Sequence, residues 1–480
     1  MTFNKSPRFV RLLIVLYLIV GFGQAVHGQA PAVESELPSI EDLFIRPQMR
    51  QVVISRSGHY LATINEIGGQ ERILIKNFLD GTEKTISAAE DNDLGRYLTF
   101  AGTDTTLFYT QTYQSRRSEL VVYDLETGNF SIDRPGKQSG GIITSVEKAI
   151  FDNIADNWDA NPGFVISEKR RDSLTSVYHY DVKRKQMKSV ARGPKDAINI
   201  FYTSEDGLPK VAVTANRRNY HAGMSKIERG QERTFVRVGK KDDWEPLPFF
   251  DNDFSRYDKV YDAKEPVAMS PAGKSLYYTQ TNSSGTRGLY SFDLESRKPS
   301  EEIASDPNFD LFQISQSTRS VERVFFSAKD NRLLGFLSNR ILPKTTWIDP
   351  AFAGIQTALD KALPDQYINQ ITNWTFDESK FIVYSYSDSD FGAYYIFDIE
   401  KKSLDLVGRR SPSLKKEYCG KELVLQIPLR DGKKMLAFLR LPSGVDKPKA
   451  LPGVIQIPSA IHNRFTWGNN IAEQVYPNVS

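Results

Sequence analysis

From about residue 47 onward, short apolar stretches alternate with polar turns. A recurring unit stands out: a polar turn, an apolar strand, a variable loop, and a second strand closed by an aromatic residue and aspartate. Ser57-Gly58-His59-Tyr60-Leu61-Ala62-Thr63-Ile64 leads to Phe78-Leu79-Asp80-Gly81, and Leu107-Phe108-Tyr109 leads to Val122-Tyr123-Asp124. The unit returns as Gly163-Phe164-Val165-Ile166 with Tyr178-His179-Tyr180-Asp181. It returns again as Ser270-Pro271-Ala272-Gly273 with Tyr290-Ser291-Phe292-Asp293, and as Asp377-Glu378-Ser379 with Tyr394-Tyr395-Ile396-Phe397-Asp398. The runs are rich in Tyr, Phe, Val and Ile, which suit a pleated, half-buried surface. Gly and Asp in the turns allow the conformations that reverse the chain.

The landmark aspartates at 80, 124, 181, 293 and 398 set the architecture. Two intervals are 44 and 57 residues, and the other two, 112 and 105, are about twice as long. Each long interval has room for one degenerate copy, near Phe235-Val236-Arg237-Val238 and near Arg323-Val324-Phe325-Phe326. Seven copies of roughly one blade each predict an all-β fold, a seven-bladed β-propeller, because one blade cannot bury both faces and a ring of blades can. A β-sandwich is the competing reading, but it does not predict a near-constant period over so long a stretch. Two segments break the β pattern. Ser39-Ile40-Glu41-Asp42-Leu43-Phe44 has the cap and acid of a short helix start. Asp349 followed by Pro350, with Phe352, Ile355 and Leu359 on one face, predicts a helical insertion in the sixth blade.

Composition adds limits. The chain has 480 residues, 40% hydrophobic and 25% charged, with 62 basic and 59 acidic residues giving +3. That balance lacks the clustered basic excess of a nucleic-acid binder. Lys5, Arg8 and Arg11 precede the apolar run Leu12–Phe22, and small residues follow at Ala25, Gly28 and Ala30. Residues 1–28 therefore read as a signal peptide cleaved after Gly28, rather than an uncleaved anchor, and a secreted or periplasmic location is expected. Membrane contact is expected only through that segment before cleavage. The single cysteine, Cys419, excludes an intrachain disulfide. It reads as a small, partly buried side chain near a strand start.

The stretch Gly335–Asn470 resembles the prolyl oligopeptidase family of serine peptidases, most closely the acylaminoacyl-peptidase and dipeptidyl-peptidase-like enzymes of bacteria. The residues that carry the likeness are Trp347-Ile348-Asp349-Pro350 with its helix, Gly392-Ala393-Tyr394-Tyr395-Ile396-Phe397-Asp398, Leu429-Arg430-Asp431-Gly432-Lys433-Lys434-Met435-Leu436-Ala437-Phe438-Leu439-Arg440-Leu441-Pro442, and Leu451-Pro452-Gly453-Val454-Ile455-Gln456-Ile457-Pro458. The opening Asp42-Leu43-Phe44-Ile45-Arg46-Pro47 also looks like the family's lead into its first blade. The resemblance implies a propeller that screens the active site of an α/β-hydrolase domain. It divides the chain into residues 29–46 as an N-terminal segment, 47–410 as the propeller, and 411–480 as a truncated start of the hydrolase domain. Leu436–Leu439 and Val454–Ile457 would be that domain's early strands. Where the family shows a His-Gly-Gly-Pro type oxyanion segment, this chain has Ser459-Ala460-Ile461-His462.

Candidate chemistry is sparse. Acyl transfer needs an activated nucleophile, a base, an orienting acid and an oxyanion hole. No Gly-x-Ser-x-Gly turn occurs; Gly223-Met224-Ser225 lacks the closing Gly. His59 reads as a turn residue, His179 as a strand residue, His221 as a loop residue, and His462 stands in the altered oxyanion segment. Asp251-Asn252-Asp253 and Ser387-Asp388-Ser389-Asp390 are oxygen-rich enough for a hard cation, although such clusters more often form solvated turns. No catalytic, metal or cofactor residue is assigned. The chain is expected to be catalytically incompetent alone. The alternative is a stand-alone binding propeller that holds a peptide or protein at its channel or rim.

Overall fold

A computed structural model describes residues 47–88, 92–100, 104–113, 117–133, 163–169, 175–181, 186–203, 208–215, 231–239, 243–254, 262–312, 323–445, 449 and 452–455. The expected signal peptide, the helix start at Ser39, His221, Gly223–Ser225 and His462 lie outside the described residues. Among the described residues the chain forms seven antiparallel sheets of three to five strands, then a two-stranded hairpin.

Sheet 1 holds β1 (Met49–Ile54), β2 (Tyr60–Ile67), β3 (Gln70–Asn77) and β4 (Glu83–Ser87). Sheet 2 holds β5 (Asn92–Phe100), β6 (Thr106–Tyr113), β7 (Arg117–Asp124) and β8 (Phe130–Asp133). Sheet 3 holds β9 (Gly163–Lys169), β10 (Thr175–Asp181) and β11 (Gln186–Arg192). Sheet 4 holds β12 (Ala197–Tyr202), β13 (Pro209–Ala215), β14 (Gln231–Val238), β15 (Asp243–Pro246) and the short β16 (Asn252–Asp253). Sheet 5 holds β17 (Glu265–Met269), β18 (Ser275–Thr281), β19 (Arg287–Asp293) and β20 (Lys298–Ala304). Sheet 6 holds β21 (Arg323–Phe326), β22 (Leu333–Asn339) and β23 (Pro343–Trp347), followed by α1 (Pro350–Ala362). Sheet 7 holds β24 (Ile368–Trp374), β25 (Lys380–Tyr386), β26 (Ala393–Asp398) and β27 (Ser403–Arg409). The hairpin is β28 (Glu422–Pro428) with β29 (Lys434–Arg440).

Within a sheet, neighbours in sequence are neighbours in space, so each sheet is a meander. Burial falls off across it. The second strands are nearly all buried, as in Lys380–Tyr386, whereas the fourth strands Glu83–Ser87 and Lys298–Ala304 are largely exposed. Pairing shows a second regularity. The register shifts in all six described pairings of a first strand with a second, in sheets 1, 2, 4, 5, 6 and 7. The second and third strands of the same sheets pair without interruption. A bulge adds local twist, and in these six sheets the pairing of the first strand is the irregular one.

The landmark aspartates mark the third strands. Asp124, Asp293 and Asp398 end β7, β19 and β26, and each accepts a backbone N–H from the following turn, from Thr127, Ser296 and Lys401 respectively. Asp181 ends β10, and β9 pairs with β10 without a shift. By both criteria β9, β10 and β11 hold the second to fourth positions of sheet 3, and no first strand of that sheet stands among the described residues. Two sequence expectations shift. In sheet 1 the equivalent residue is Asn77, not Asp80: Asn77 takes the same turn bonds and its side chain accepts from Leu79 N, while Asp80 sits in the turn itself. Phe235–Val238 falls on the third strand of sheet 4 as the repeat requires, but Arg323–Phe326 is the first strand of sheet 6.

The predicted helix forms. Asp349 accepts hydrogen bonds from Ala351 N at 3.0 Å and Phe352 N at 3.1 Å, which satisfies two of the amides a helix start leaves open. Phe352 and Leu359 are buried, and Ile355 packs beside them between sheets 6 and 7. Each buried large apolar side chain of this kind stabilises by about 1.5–3 kcal/mol. The helix is not inserted within the sixth sheet; it follows β23, at the place where other sheets have a fourth strand. Neighbouring sheets share clusters of the same type: sheets 1 and 2 through Ile73, Leu98 and Leu107, sheets 4 and 5 through Phe250 and Phe292, and sheets 5 and 6 through Leu311 and Phe336. Sheet 7 packs on sheet 1 through Val52, Leu61, Ile382 and Tyr394. Sheet 7 thus meets sheet 1 through packed side chains and isolated backbone hydrogen bonds at the two ends of the junction; among the described residues no strand of sheet 1 pairs with sheet 7.

Candidate functional site

Antiparallel order fixes which ends of the strands share a rim. First strands begin, second and third strands connect, and fourth strands end at one rim, the near rim. Turns between first and second strands, and the landmark turns, lie at the far rim. The chain enters sheet 1 at Met49 and leaves sheet 7 after Arg409, so it enters and leaves at the near rim, and Met49 N donates to Arg410 O at 3.1 Å. The hairpin follows directly and is seated on that rim. The Glu422 amide donates to Asp388 in the β25–β26 loop at 3.0 Å, and Phe438 packs on the cluster shared by sheets 1 and 7.

The supporting loop is built from half-buried polar contacts around Asp390. Asp390 accepts from Gly392 N at 2.8 Å and from the Tyr367 hydroxyl at 2.7 Å, and Arg409 stands 3.4 Å away. Burial, reinforced by the Asp390 carboxylate, pushes the Tyr367 hydroxyl up to about 12, so it remains a donor. Gly392 has φ +89°, and a Cβ there would stand 2.5 Å from Ser385 O, so only glycine fits. Beside this loop Tyr384 stacks between Tyr386 and Tyr394, with ring centroids 4.9 and 4.7 Å away. The Tyr384 hydroxyl donates to Phe391 O at 2.6 Å and accepts from Arg410 at 3.1 Å.

Between this loop and the base of the hairpin lies a cleft of about 440 Å³, lined by Gln366, Asp388, Lys416, Glu417, Lys421 and Ser443 among others. Cys419 also borders it but is buried with Phe391 and Leu414. Burial first, then the carboxylates of Asp390, Asp388 and Glu417, push its thiol up to about 12. A thiol so protonated is a poor nucleophile, and its placement just before β28 matches the sequence reading.

The other sequence candidates do not converge on this cleft. His59 lies in the β1–β2 turn at the far rim, 3.7 Å from Asp104, and His179 lies in β10. Asn252 exchanges two hydrogen bonds with the Lys264 backbone, at 2.9 and 3.0 Å, so the Asp251–Asp253 stretch locks a loop. The Ser387–Asp390 cluster spends its carboxylates on Glu422 N, Gly392 N and Tyr367. Among the described residues no group of three or more His, Cys, Asp or Glu is placed to hold a metal ion. Also among the described residues, no helix is long and apolar enough to cross a membrane.

The hairpin differs from its expected form. Leu436–Leu439 does form part of β29, but its partner is β28, upstream. Val454 and Ile455, expected in a sheet interior, are 97% and 89% exposed and belong to no strand, because no neighbouring strand among the described residues pairs with them; Gln456 and Ile457 lie outside the described residues. Val424, Leu425, Ile427, Leu429, Met435 and Leu436 are exposed too. The apolar runs Leu423–Leu425 and Met435–Leu439 on either side of Asp431-Gly432 carried the hairpin's signal in the sequence; the seating through Asp388 and Phe438 carried none.

No protein-family model matches the chain, and no curated protein matches it. Solved structures do. The chain is similar to a prolyl endopeptidase at TM-score 0.50 and 11% identity, covering 92% of this chain and 61% of that one. Prolyl oligopeptidase B from Galerina marginata is similar at TM-score 0.45 and 11% identity, covering 83% and 56%. The β-propeller domain of the Trilobed protease from Pyrococcus furiosus is similar at TM-score 0.43 and 11% identity, covering 76% of this chain and 99% of that one. This chain therefore spans about three fifths of the length of the prolyl endopeptidase it matches. The meandering sheets, their closure and this likeness give the chain a β-propeller fold of the kind found in prolyl-endopeptidase-like proteases.

Proposed function

We propose that this chain is the propeller-bearing part of a prolyl-oligopeptidase-like serine peptidase, exported from the cell, with its seven sheets as seven blades of one ring. The observation that carries this reading is the passage of the chain into and out of the ring at one rim, with a largely exposed hairpin seated there beside the cleft. A ring in that position screens what reaches a hydrolase domain docked on the hairpin. The acylaminoacyl- and dipeptidyl-peptidase-like branch is the one the sequence favours. Peptide-bond hydrolysis needs groups that these 480 residues do not supply in a recognisable motif. The chain by itself is therefore expected to be inactive.

The test is an assay of the purified chain against aminoacyl and dipeptidyl chromogenic substrates, with and without a serine-directed inhibitor. No turnover is expected. Inhibitor-sensitive turnover would overturn the incompetence. A second reading, a free-standing propeller that binds a peptide or protein, draws on Asn199 and Thr372, polar residues exposed on first strands. Equilibrium dialysis against a random tetrapeptide pool separates the two: retention without turnover favours the binder.

A further inference from the structure

The cleft at the near rim lies where the chain passes between ring and hairpin. One wall is the stretch Lys416–Lys421, which leads into β28. A second is Pro442–Val445, which leaves β29, and the third is the β25–β26 loop with Asp388. Hydrogen bonds join the walls. Ser443 Oγ donates to Glu417 O, Leu441 N to Lys421 O at 3.0 Å, and the Glu422 amide to Asp388 at 3.0 Å. A molecule held there touches both passages of the chain and the ring at once.

The lining narrows the ligand. Besides Cys419, its titratable groups are two carboxylates, Asp388 and Glu417, and two ammonium groups, Lys416 and Lys421, so the charges cancel. Both carboxylates act on the Cys419 thiol, so they stand near one another. Lys416 lies over the Tyr367 ring, 6.0 Å from its centroid. Lys416, Glu417 and Lys421 are exposed, so a ligand reaches them from solvent. A dianion would meet two carboxylates there, and a diamine two ammonium groups; either brings like charges together. An apolar molecule would strip water from all four charges and replace none of it. A molecule with one ammonium and one carboxylate gives each sign an opposite partner. Gln366 adds a side-chain amide, which donates and accepts as a peptide group requires. The volume, about 440 Å³, is at the small end for small-molecule sites, about 300–1,000 Å³. Two residues of extended chain span about 7 Å, a length suited to a cleft of that size.

We propose that this cleft binds a short zwitterionic peptide, of dipeptide size, by its two charged ends. The ammonium group goes to Glu417 and Asp388, the carboxylate to Lys416 and Lys421, and the peptide group to Gln366. The bound peptide ties both passages of the chain to the loop of sheet 7 and stiffens the root of the hairpin. Its chemical class is read from the cleft alone. That such a peptide is a released product, acting back on the enzyme that forms it, rests on the function proposed above.

Isothermal titration calorimetry tests it with the full chain at neutral pH and low salt, where exposed charges are little screened. The ligands are dialanine, N-acetyl-dialanine, dialanine amide, succinate and putrescine. Dialanine should bind at least about tenfold more tightly than each of the others. E417Q should remove most of its lead over N-acetyl-dialanine, and K416M/K421M most of its lead over the amide. These substitutions change only exposed side chains, and an unchanged unfolding midpoint shows that the ring is intact. Hydrogen exchange at the Glu422 amide should slow severalfold when dialanine is bound, and an unchanged rate overturns the stiffening. The proposal is overturned by no binding of dialanine at millimolar concentration. It is overturned equally by a blocked or single-sign ligand that binds as well, or by variants that bind as the unaltered chain does. Inhibitor-sensitive turnover of the chromogenic substrates bears on the proposed function alone and leaves these affinities as they are, so the two failures are told apart.

Discussion

The Tyr394 hydroxyl donates to the Arg50 carbonyl at 3.0 Å, joining residues 344 positions apart. This bond crosses the junction where the last sheet meets the first. It stands beside Met49 N to Arg410 O at the near rim, and Phe376 N to Arg56 O at the far rim. The junction is therefore tied at both ends as well as packed through its middle.

Replacing Tyr394 by Phe removes the donor but keeps the ring that stacks on Tyr384. A buried hydrogen bond of this type contributes about 1 kcal/mol. We expect Y394F to lower unfolding stability by about that amount, measured by chemical denaturation. An unchanged midpoint would mean that the closure does not depend on this contact.

Stability should fall at both pH extremes, for opposite reasons. Burial raises the carboxyls of Asp349 and Asp377. Hydrogen bonds from Arg332 and the Phe352 amide to Asp349, and from Thr375 and Ser379 to Asp377, outweigh that and hold both below the usual range. A depressed folded-state pKa stabilises above the unfolded value, about 3.9, and that contribution is lost as pH drops through the folded value. Burial pushes Tyr109, Tyr278 and Tyr394 up to about 12. Their contribution is complete below the unfolded value of about 10 and fades from there to about pH 12. A melting-temperature profile from pH 2 to 12 should show a plateau between these limbs. D349N, which still caps the helix, should flatten the acid limb.

Gly420 lies at the base of the hairpin, where a Cβ would stand 1.7 Å from Leu441 O. G420A must separate the two strands at their root. We expect the hairpin tip to become severalfold more sensitive to limited trypsin digestion at Lys433, with the ring's unfolding midpoint shifted by less than about 1 kcal/mol. Unchanged cleavage would show that the backbone has room to move.

Cys419 should resist alkylation. Its thiol is buried and protonated at neutral pH, so iodoacetamide labelling of the native chain should be at least tenfold slower than of the urea-unfolded chain. Equal rates would mean that the Phe391–Leu414–Cys419 cluster opens freely.

The period of the fold was legible because turns are local. An aspartate that ends a third strand bonds to amides two or three residues on, so it leaves a mark at Asp124, Asp293 and Asp398 whatever the sheets do later. In sheet 1 that duty falls to Asn77, which the eye passes over for Asp80. The helix at Pro350 was equally local, being set by its cap and apolar stripe. What the sequence concealed is made of distant pairs. Asp388 reaching Glu422, Phe438 reaching the junction, and Arg332 joining Asp349 to Glu378 have no spacing rule. The irregular register of the first strands was hidden as well, since a bulge has no residue signature beyond one extra position. Val454 and Ile455 show the reverse error: a sequence that reads as a buried strand is one only where a neighbour pairs with it.

Because the first and last sheets each consist of consecutive strands, and Met49 meets Arg410 across 3.1 Å, the order in which the sheets are synthesised is not written into the geometry of the circle. A short peptide bridge across that gap in place of residues 411–480, with a cut in the exposed Asp80–Gly81 turn, would give a rearranged gene whose product keeps the contacts among the seven sheets described above and loses the hairpin.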